Sequence, residues 1–321
     1  MTEFLLLLTG MAGLWLGSEI LMRGAMALSD RFNASDALFG MLVLAIGTDL
    51  PELFVAVDAS LRSLAGEDLS GIVIGSAVGS SIGQFGLVFG TAGFLGFEAM
   101  RRQYLGRNAF FLLGSILALG LVSLDGRISR VEGACLVAFY ASYLFILISR
   151  RGNSPDVTQN HNDLHWGKAW LLLALGLVVL WASARLTVAS AVDFAALVGL
   201  SNIAVSAVII GMGSSLPEVS VSFMALLKRR AGLSVGNLVG SNVLDTLLVP
   251  GLAAAISPLV VPGSVLLIDL PVLFGITGIV LWSLYVSRRG IHAPQATVLL
   301  AIYLVYAGLR LADPALAHGL A

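Results

Sequence analysis

Ten long apolar stretches divide this chain, and they restrict its fold more than any other feature of the sequence. A helix needs about 20 mostly apolar residues to cross the hydrocarbon core of a bilayer, where every backbone polar group must find a partner within the protein. The stretches therefore predict an all-α polytopic membrane protein with ten transmembrane helices. We place these helices at Phe4–Met22, Ala37–Leu61, Gly71–Phe97, Asn108–Leu124, Val131–Ser149, Gly167–Ala191, Ile203–Leu227, Leu233–Ile256, Val265–Val286 and Ala296–Leu311.

The composition also favours a membrane protein over a soluble one. Of the 321 residues, 58% are hydrophobic and 12% are charged, whereas soluble domains carry about 45–50% apolar and about 25% charged residues. The net charge of −1 provides no basic surface for nucleic acid. The single cysteine, Cys135, excludes an intrachain disulfide framework. We therefore expect lipid, rather than water, to face most of the surface.

The distribution of Lys and Arg predicts the orientation in the membrane. If the N-terminus is outside, the cytoplasmic segments hold 13 of the 18 basic residues, in line with the excess of positive charge on cytoplasmic loops. We therefore expect both termini on the outer side of the cell (inner) membrane. The longest polar stretch, Arg150–Trp166, then becomes a cytoplasmic linker. The acidic Glu3, with no basic residue before the first apolar stretch, argues against a signal peptide.

The chain contains two copies of one pattern. Residues 45–62 and 211–228 align as AIGTDLPELFVAVDASLR and GMGSSLPEVSVSFMALLK, and residues 75–90 and 236–251 align as GSAVGSSIGQFGLVFG and GNLVGSNVLDTLLVPG. Five predicted helices precede the linker and five follow it, so the second copy starts from the opposite side of the membrane. We predict a single membrane domain, 1–321, with a first inverted repeat (1–149), the linker (150–166) and a second inverted repeat (167–321). Many secondary transporters have this architecture.

Each copy is predicted to interrupt one helix at the same place. Gly47 and Pro51 bracket a short segment in the first copy, and Gly213 and Pro217 bracket its counterpart in the second. Proline lacks a backbone donor and disfavours helical conformation at the residue before it. Because substrates of inverted-repeat transporters bind near the midplane on interrupted helices, we expect the substrate site at these two segments.

Four acidic residues lie deep inside the predicted helices, all within the duplicated segments: Asp49, Glu52, Glu218 and Asp245. Acids inside a membrane are costly and are functional by default. No Lys, Arg or His lies deep in the same helices, so a mobile cation is the expected partner. The absence of a Cys or His cluster argues against zinc and copper, whereas carboxylate, hydroxyl and amide oxygens suit calcium, sodium and related hard ions. The neighbouring oxygen donors are Thr48, Ser80, Ser81, Gln84, Ser214, Ser215, Ser241 and Asn242.

The other polar features are interpreted as structural. We predict ion pairs between residues four apart near helix ends, interfacial positions for two further charged residues, and pairs of glycines that let helices approach closely. The ion pairs are Glu19–Arg23 and Asp58–Arg62, the interfacial residues are Arg185 and Asp269, and the glycine pairs are Gly75–Gly79 and Gly236–Gly240.

The duplicated motifs GTDLPEL and GSSLPEV, followed by GSAVGSSIGQ and GNLVGSNVLD, resemble the two conserved repeats of the calcium/cation antiporter superfamily. Among its members, they resemble prokaryotic sodium/calcium exchangers in particular. The resemblance implies secondary antiport of Ca²⁺ against Na⁺ by alternating access, without enzymatic activity or a cofactor. It implies ion sites between the second, third, seventh and eighth helices. The implied ligands are Glu52, Glu218, Asp245, Gln84, Ser80, Ser215, Ser241, Thr48, Ser214 and the carbonyl groups of Ala45 and Gly211.

Two residues depart from the family pattern. Asp49 stands where the family usually has serine, and Gln84 stands where it has asparagine. With Asp49 as a further ligand, the site carries four acids, which leaves proton-coupled exchange of Ca²⁺ or another cation as an alternative to sodium coupling. An intramembrane aspartyl protease also uses two buried acids, but it does not explain glutamates in register within an inverted repeat. A channel is a further alternative, but the interrupted, pseudo-symmetric helices favour alternating access.

Overall fold

The long apolar stretches of this chain form helices because, in lipid, their backbone N–H and C=O groups must form hydrogen bonds within the same segment. The computed structural model describes residues 2–32, 34–67, 69–94, 105–149, 164–197, 213, 215–286 and 291–312. The α-helices are α1 Thr2–Arg31, α2 Asp36–Phe39, α3 Ala45–Leu64, α4 Ser70–Gln84, α5 Gly90–Phe94, α6 Leu105–Val122, α7 Arg130–Ser149, α8 Trp166–Leu197, α9 Leu216–Leu227, α10 Ala231–Val243, α11 Val249–Ile256, α12 Leu270–Val286 and α13 Ala293–Ala312.

Eight helical segments in the described part of the chain are long and apolar enough to cross a membrane. Two shorter apolar helices, Asn108–Val122 and Leu216–Leu227, fall within the remaining two predicted spans. Large apolar side chains remain exposed on the helices, such as Leu267 at 80% exposure, as expected for a surface that faces lipid. The prediction of an all-α polytopic membrane protein is confirmed, with one addition. Two-residue strands, β1 Arg127–Ile128 and β2 Leu259–Val260, pair antiparallel with Ile128 opposite Leu259.

Several predicted features fall outside the described residues. These are residues 150–163 of the linker and residues 203–212 of the seventh predicted span, which include Gly211. The orientation of the chain in the membrane therefore stays a prediction.

Within the described residues, four π-helical turns interrupt the regular helices. They are Gly40–Leu44 before α3, Phe85–Phe89 after α4, Leu244–Leu248 after α10 and Val265–Asp269 before α12. A π-turn widens the helix by one residue and is frequent at functional sites. Three of the four turns adjoin helices that carry predicted site residues.

The predicted break between Gly47 and Pro51 takes a different form in the structure. Helix α3 is continuous from Ala45 to Leu64 with Pro51 inside it, so the prediction of an unwound segment there is wrong. Pro51 forfeits only its own backbone hydrogen bond, and lipid strongly favours keeping the others. The irregular turn of this span is the π-helical turn before α3. In the second copy, α9 begins at Leu216 with Pro217 in its first turn, which agrees with the predicted interruption.

The chain forms two compact units. The first unit is Met1–Thr48 with Leu147–Gly240, and the second is Asp49–Ile146 with Ser241–Ala321. Each unit combines one stretch from each sequence repeat, so the units are not the repeats themselves.

Two long helices, α1 and α8, form the main packing of the first unit. They have 30 and 32 residues and span about 45 Å or more, which exceeds the hydrocarbon thickness of about 30 Å. Glycines on both helices bring the backbones together: a Cβ on Gly176 would lie 2.5 Å from Leu21, and one on Gly24 would lie 2.6 Å from the Ala169 carbonyl oxygen. Lys228 adds a second basic partner to the predicted Glu19–Arg23 pair.

Helix α10 packs equally closely within the first unit. A Cβ on Gly236 would lie 2.3 Å from the carbonyl oxygen of Ala37, and one on Gly240 would lie 2.8 Å from that of Met41. The close approach predicted for Gly236–Gly240 is confirmed. The pair in the first copy behaves differently, because a Cβ on Gly75 would meet no described atom within 4 Å.

The second unit contains an ion pair that the sequence did not reveal. Asp269, which is predicted to be interfacial, is 1% exposed and pairs with Arg310 on α13. The two residues are 41 positions apart, so helix periodicity could not link them. The predicted Asp58–Arg62 pair is confirmed at 2.9 Å and is exposed.

Candidate cation site

Three buried carboxylates meet in the second unit. Asp49 and Glu52 lie three residues apart on α3 and therefore share a helix face, while Asp245 comes from the π-helical turn after α10. One carboxylate oxygen from each residue lies within 4.8 Å of the other two. The three residues are 0%, 7% and 0% exposed, respectively. We call Asp49, Glu52 and Asp245 the carboxylate triad.

A chain of hydrogen bonds orients the oxygens next to the triad. The Ser241 hydroxyl donates to Asp49 Oδ1 at 2.8 Å, and the same hydroxyl accepts a hydrogen bond from Gln84 Nε2 at 3.0 Å. Gln84 Nε2 also donates to Ser80 Oγ at 3.0 Å. Ser81 Oγ lies at the longer distance of 3.5 Å from Asp245 Oδ2. Because Ser241 receives a hydrogen from Gln84, its own hydrogen points to the triad.

Gln84 therefore orders Ser80 and Ser241, a role that the ligand prediction did not include. Its carbonyl oxygen accepts a hydrogen bond from Asn242 Nδ2 at 3.0 Å. Sequence reasoning placed Asn242 among the nearby oxygen donors but did not identify this bridge. The pairing joins residues 158 positions apart, so no sequence periodicity could indicate it.

The triad concentrates negative charge away from water. At 4.8 Å and an effective dielectric constant of 20, two ionised carboxylates repel each other by about 3.5 kcal/mol. The stretches 36–61, 70–94 and 231–256, which contain the triad and its hydrogen-bonding neighbours, have no Lys, Arg or His. A site of this kind binds cations or protons, and its carboxylate and hydroxyl oxygens suit hard metal ions.

The remaining predicted ligands lie in the first unit or outside the described residues. Glu218 is fully buried in the first turn of α9, and Ser215 is the residue that precedes this helix. The Thr48 hydroxyl donates to the carbonyl groups of Leu44, in the preceding π-helical turn, and of Ala45. Ser214 and Gly211 are outside the described residues. The structure thus brings together six predicted site residues in the second unit: Asp49, Glu52, Asp245, Ser80, Gln84 and Ser241.

Comparisons with known proteins assign the family. The family model described as sodium/calcium exchanger protein matches residues 2–149 and 168–312. This chain belongs to the sodium/calcium exchanger family. It is 29% identical over 311 residues to CaxA of Alkalimonas amylolytica, a match that covers 93% of this chain and 95% of that protein. It is 25% identical over 346 residues to Sodium/calcium exchanger MaX1 of Methanosarcina acetivorans, with 95% and 97% coverage.

A solved exchanger has the same fold. The structure of the sodium-calcium exchanger NCX_Mj, soaked with zero Na⁺ and Ca²⁺, matches with a TM-score of 0.82 and 25% identity over 95% of this chain and 98% of that one. The resemblance to the calcium/cation antiporter superfamily is confirmed. The protein is therefore a multi-pass membrane antiporter of inorganic cations and not an enzyme, and the ions are its substrates.

Proposed function

We propose that this protein exchanges Ca²⁺ against Na⁺ by alternating access. The observation that supports this most directly is the carboxylate triad. One oxygen from each of its three carboxylates lies within 4.8 Å of the other two, in a buried, oxygen-rich site. A divalent cation neutralises such a cluster more effectively than a monovalent one, so one Ca²⁺ competes with more than one Na⁺. The names of MaX1 and of NCX_Mj as sodium/calcium exchangers support the same pair of ions.

Competition for shared carboxylates provides the coupling between the two ions. Ca²⁺ and Na⁺ cannot occupy the same oxygens together, so each ion displaces the other. An empty, fully ionised site retains the repulsion between its carboxylates, which opposes a conformational switch without cargo. We propose that Glu218 also binds the transported cation, because it matches Glu52 in the duplicated motif and is fully buried. The further proposed ligands are Asp49, Asp245, Gln84, Ser80, Ser215, Ser241, Thr48, Ser214, Ala45 and Gly211.

Proton coupling is the second candidate, and Asp49 is the reason. The family pattern usually has serine here, whereas this chain adds a carboxylate whose Oδ1 accepts a hydrogen bond from Ser241 within the triad. An added buried carboxylate can take up a proton when the cation leaves and release that proton when the cation enters. The alternative function is therefore exchange of Ca²⁺, or of another cation, against H⁺.

Flux measurements separate the two candidates. Liposomes that contain the purified protein are loaded with Na⁺, and ⁴⁵Ca²⁺ uptake is followed after dilution into Na⁺-free medium. A parallel set of liposomes carries a proton gradient without Na⁺. We expect uptake with the Na⁺ gradient and background uptake with the proton gradient. Uptake driven by the proton gradient alone would reject sodium coupling in favour of the second candidate.

Two substitutions test the proposed glutamates. Glu52→Gln and Glu218→Gln each remove one charge with little change in shape, and we expect either variant to abolish exchange while the protein still folds. Glu132→Gln is the matched control, because Glu132 caps the exposed start of α7 and glutamine preserves the capping interaction. Exchange at the wild-type rate by either buried-site variant would contradict the assignment of that glutamate.

A further inference from the structure

A buried asparagine connects α10 to the helix that carries Glu218. Asn237 is fully buried in the first unit. Its Nδ2 lies 3.3 Å from the backbone carbonyl oxygen of Glu218 and 3.0 Å from Ser222 Oγ. A backbone carbonyl only accepts hydrogen bonds, so this contact determines which end of the amide faces α9. One side chain thus binds two successive turns of α9.

The position of Asn237 is itself held tightly. A Cβ on Gly40 would lie 2.8 Å from the backbone nitrogen of Asn237, and one on the preceding Gly236 would lie 2.3 Å from the Ala37 carbonyl oxygen. Such backbone contacts leave α10 no room to shift toward these neighbours. Helix α9, by contrast, begins with Leu216 and Pro217, and Pro217 has no N–H to donate. The amide of Asn237 therefore connects a tightly packed helix to the first turn of α9.

The bridge is specific to the second copy. In the sequence alignment, Asn237 corresponds to Ser76 and Ser222 corresponds to Ala56. The Ser76 hydroxyl bonds the carbonyl oxygen of Val73 in its own helix, 3.2 Å away. The first copy thus has no amide at this position and no hydroxyl at the other, so the bridge is not a general requirement for packing the repeated helices.

The other end of the amide points to a functional reason for this difference. Asn237 Oδ1 is buried and accepts no hydrogen bond from the described residues. A buried polar oxygen without a donor is costly, and an apolar side chain at this position would avoid that cost. The hydrogen bonds that Asn237 Nδ2 donates to the Glu218 carbonyl oxygen and to Ser222 offset this cost.

We propose that Asn237 is a positioning residue for Glu218: by binding the backbone of the first turn of α9, it fixes the direction of the Glu218 carboxylate and thereby sets the affinity for the transported cation. The inference rests on the proposed role of Glu218 in cation binding. It assigns a role to a residue of the motif GNLVGSNVLD that is not among the proposed cation ligands.

The test uses Asn237→Leu, which keeps the branching of the side chain and removes the amide, and Ser76→Ala as the control at the corresponding position of the first copy. Two quantities are measured: the Ca²⁺ concentration for half-maximal exchange in liposomes, and the rise in thermal midpoint that Ca²⁺ causes in detergent. For Asn237→Leu we expect a half-saturating concentration higher by about tenfold, or about 1.4 kcal/mol of binding free energy, with a smaller change in maximal rate and a smaller Ca²⁺-induced shift. Ser76→Ala should match wild type in both.

Two further variants make the result decisive. Ser222→Ala removes one acceptor of the bridge, and a two- to threefold loss of affinity supports the inference even if Asn237→Leu does not fold. Asn237→Asp replaces the donor with an acceptor facing a carbonyl group, so positioning predicts weaker Ca²⁺ binding, whereas tighter binding would show a direct charge effect and overturn the proposal.

The outcomes also separate this inference from the proposed function. If Glu218→Gln abolishes Ca²⁺ binding while Asn237→Leu and Ser222→Ala bind Ca²⁺ within twofold of wild type, the positioning role is wrong and the proposed ion site stands. If Glu218→Gln retains wild-type Ca²⁺ binding, the role of Glu218 fails and the inference fails with it.

Discussion

Removing the charge of Asp49 should make the empty protein more stable and its response to Ca²⁺ weaker. Asp49 belongs to two of the three close pairs in the carboxylate triad, with oxygens no more than 4.8 Å apart. Each ionised pair costs about 3.5 kcal/mol or more at an effective dielectric constant of 20, so Asp49→Asn relieves about 7 kcal/mol of repulsion in a fully ionised, empty site. Asparagine retains an oxygen that can accept the hydrogen bond from Ser241. Bound protons and sodium reduce the relief, so we expect a rise of several degrees in thermal midpoint.

Thermal unfolding in detergent measures both effects. The protein is heated first with a chelator in Na⁺-free buffer and then over a series of Ca²⁺ concentrations. A ligand at one hundred times its dissociation constant stabilises the folded state by about 2.7 kcal/mol, so a weaker site shows a smaller shift at the same Ca²⁺ concentration. Asp58→Asn is the matched control, because the Asp58–Arg62 pair is exposed and contributes little.

One result would refute the electrostatic reasoning. If Asp49→Asn unfolds at or below the wild-type temperature in chelator and keeps the full Ca²⁺-induced shift, the triad does not hold repelling charges that a cation neutralises. Asp49 would then be a structural residue held by Ser241, and it would not distinguish this protein from relatives with serine at the same position.

Three further predictions concern topology, stability and pH. In a Cys135→Ser background, a cysteine at Asn153 should react with reagents only from the cytoplasmic side of the membrane, and labelling only from the outer face of intact cells would reverse the proposed orientation. Arg230→Met removes the basic partner of Asp36, which is buried, and of Asp30, which is half-buried. It should cost about 3 kcal/mol of stability, seen as a lower thermal midpoint, whereas Arg62→Met should change the midpoint little. Protons compete with the cation for the triad, so the exchange rate should fall as the pH is lowered from about 8 to about 6. Asp49→Ser should make the rate depend less on pH. If the pH profiles of wild type and Asp49→Ser superimpose, Asp49 does not take part in this competition.

The membrane fold and the acidic residues of the site follow from local properties of the sequence. Apolar length predicts spanning helices because each helix satisfies its own backbone, and the high cost of an acid in lipid makes Asp49, Glu52 and Asp245 conspicuous one residue at a time. The duplicated motif adds the match between Glu52 and Glu218. The same local reasoning failed at Pro51, because one missing hydrogen bond does not stop a helix whose neighbouring bonds lipid protects.

The sequence by itself determined the class of the protein, the approximate helices and the acids that we propose as cation ligands, because these depend on the composition of single segments. Only the tertiary structure decided which groups meet: Asp245 with Asp49 and Glu52, Gln84 with Asn242, and Asp269 with Arg310. These contacts depend on packing between helices that are far apart in the chain. The helical period of a segment predicts which residues share a face, but it does not predict which helix that face contacts.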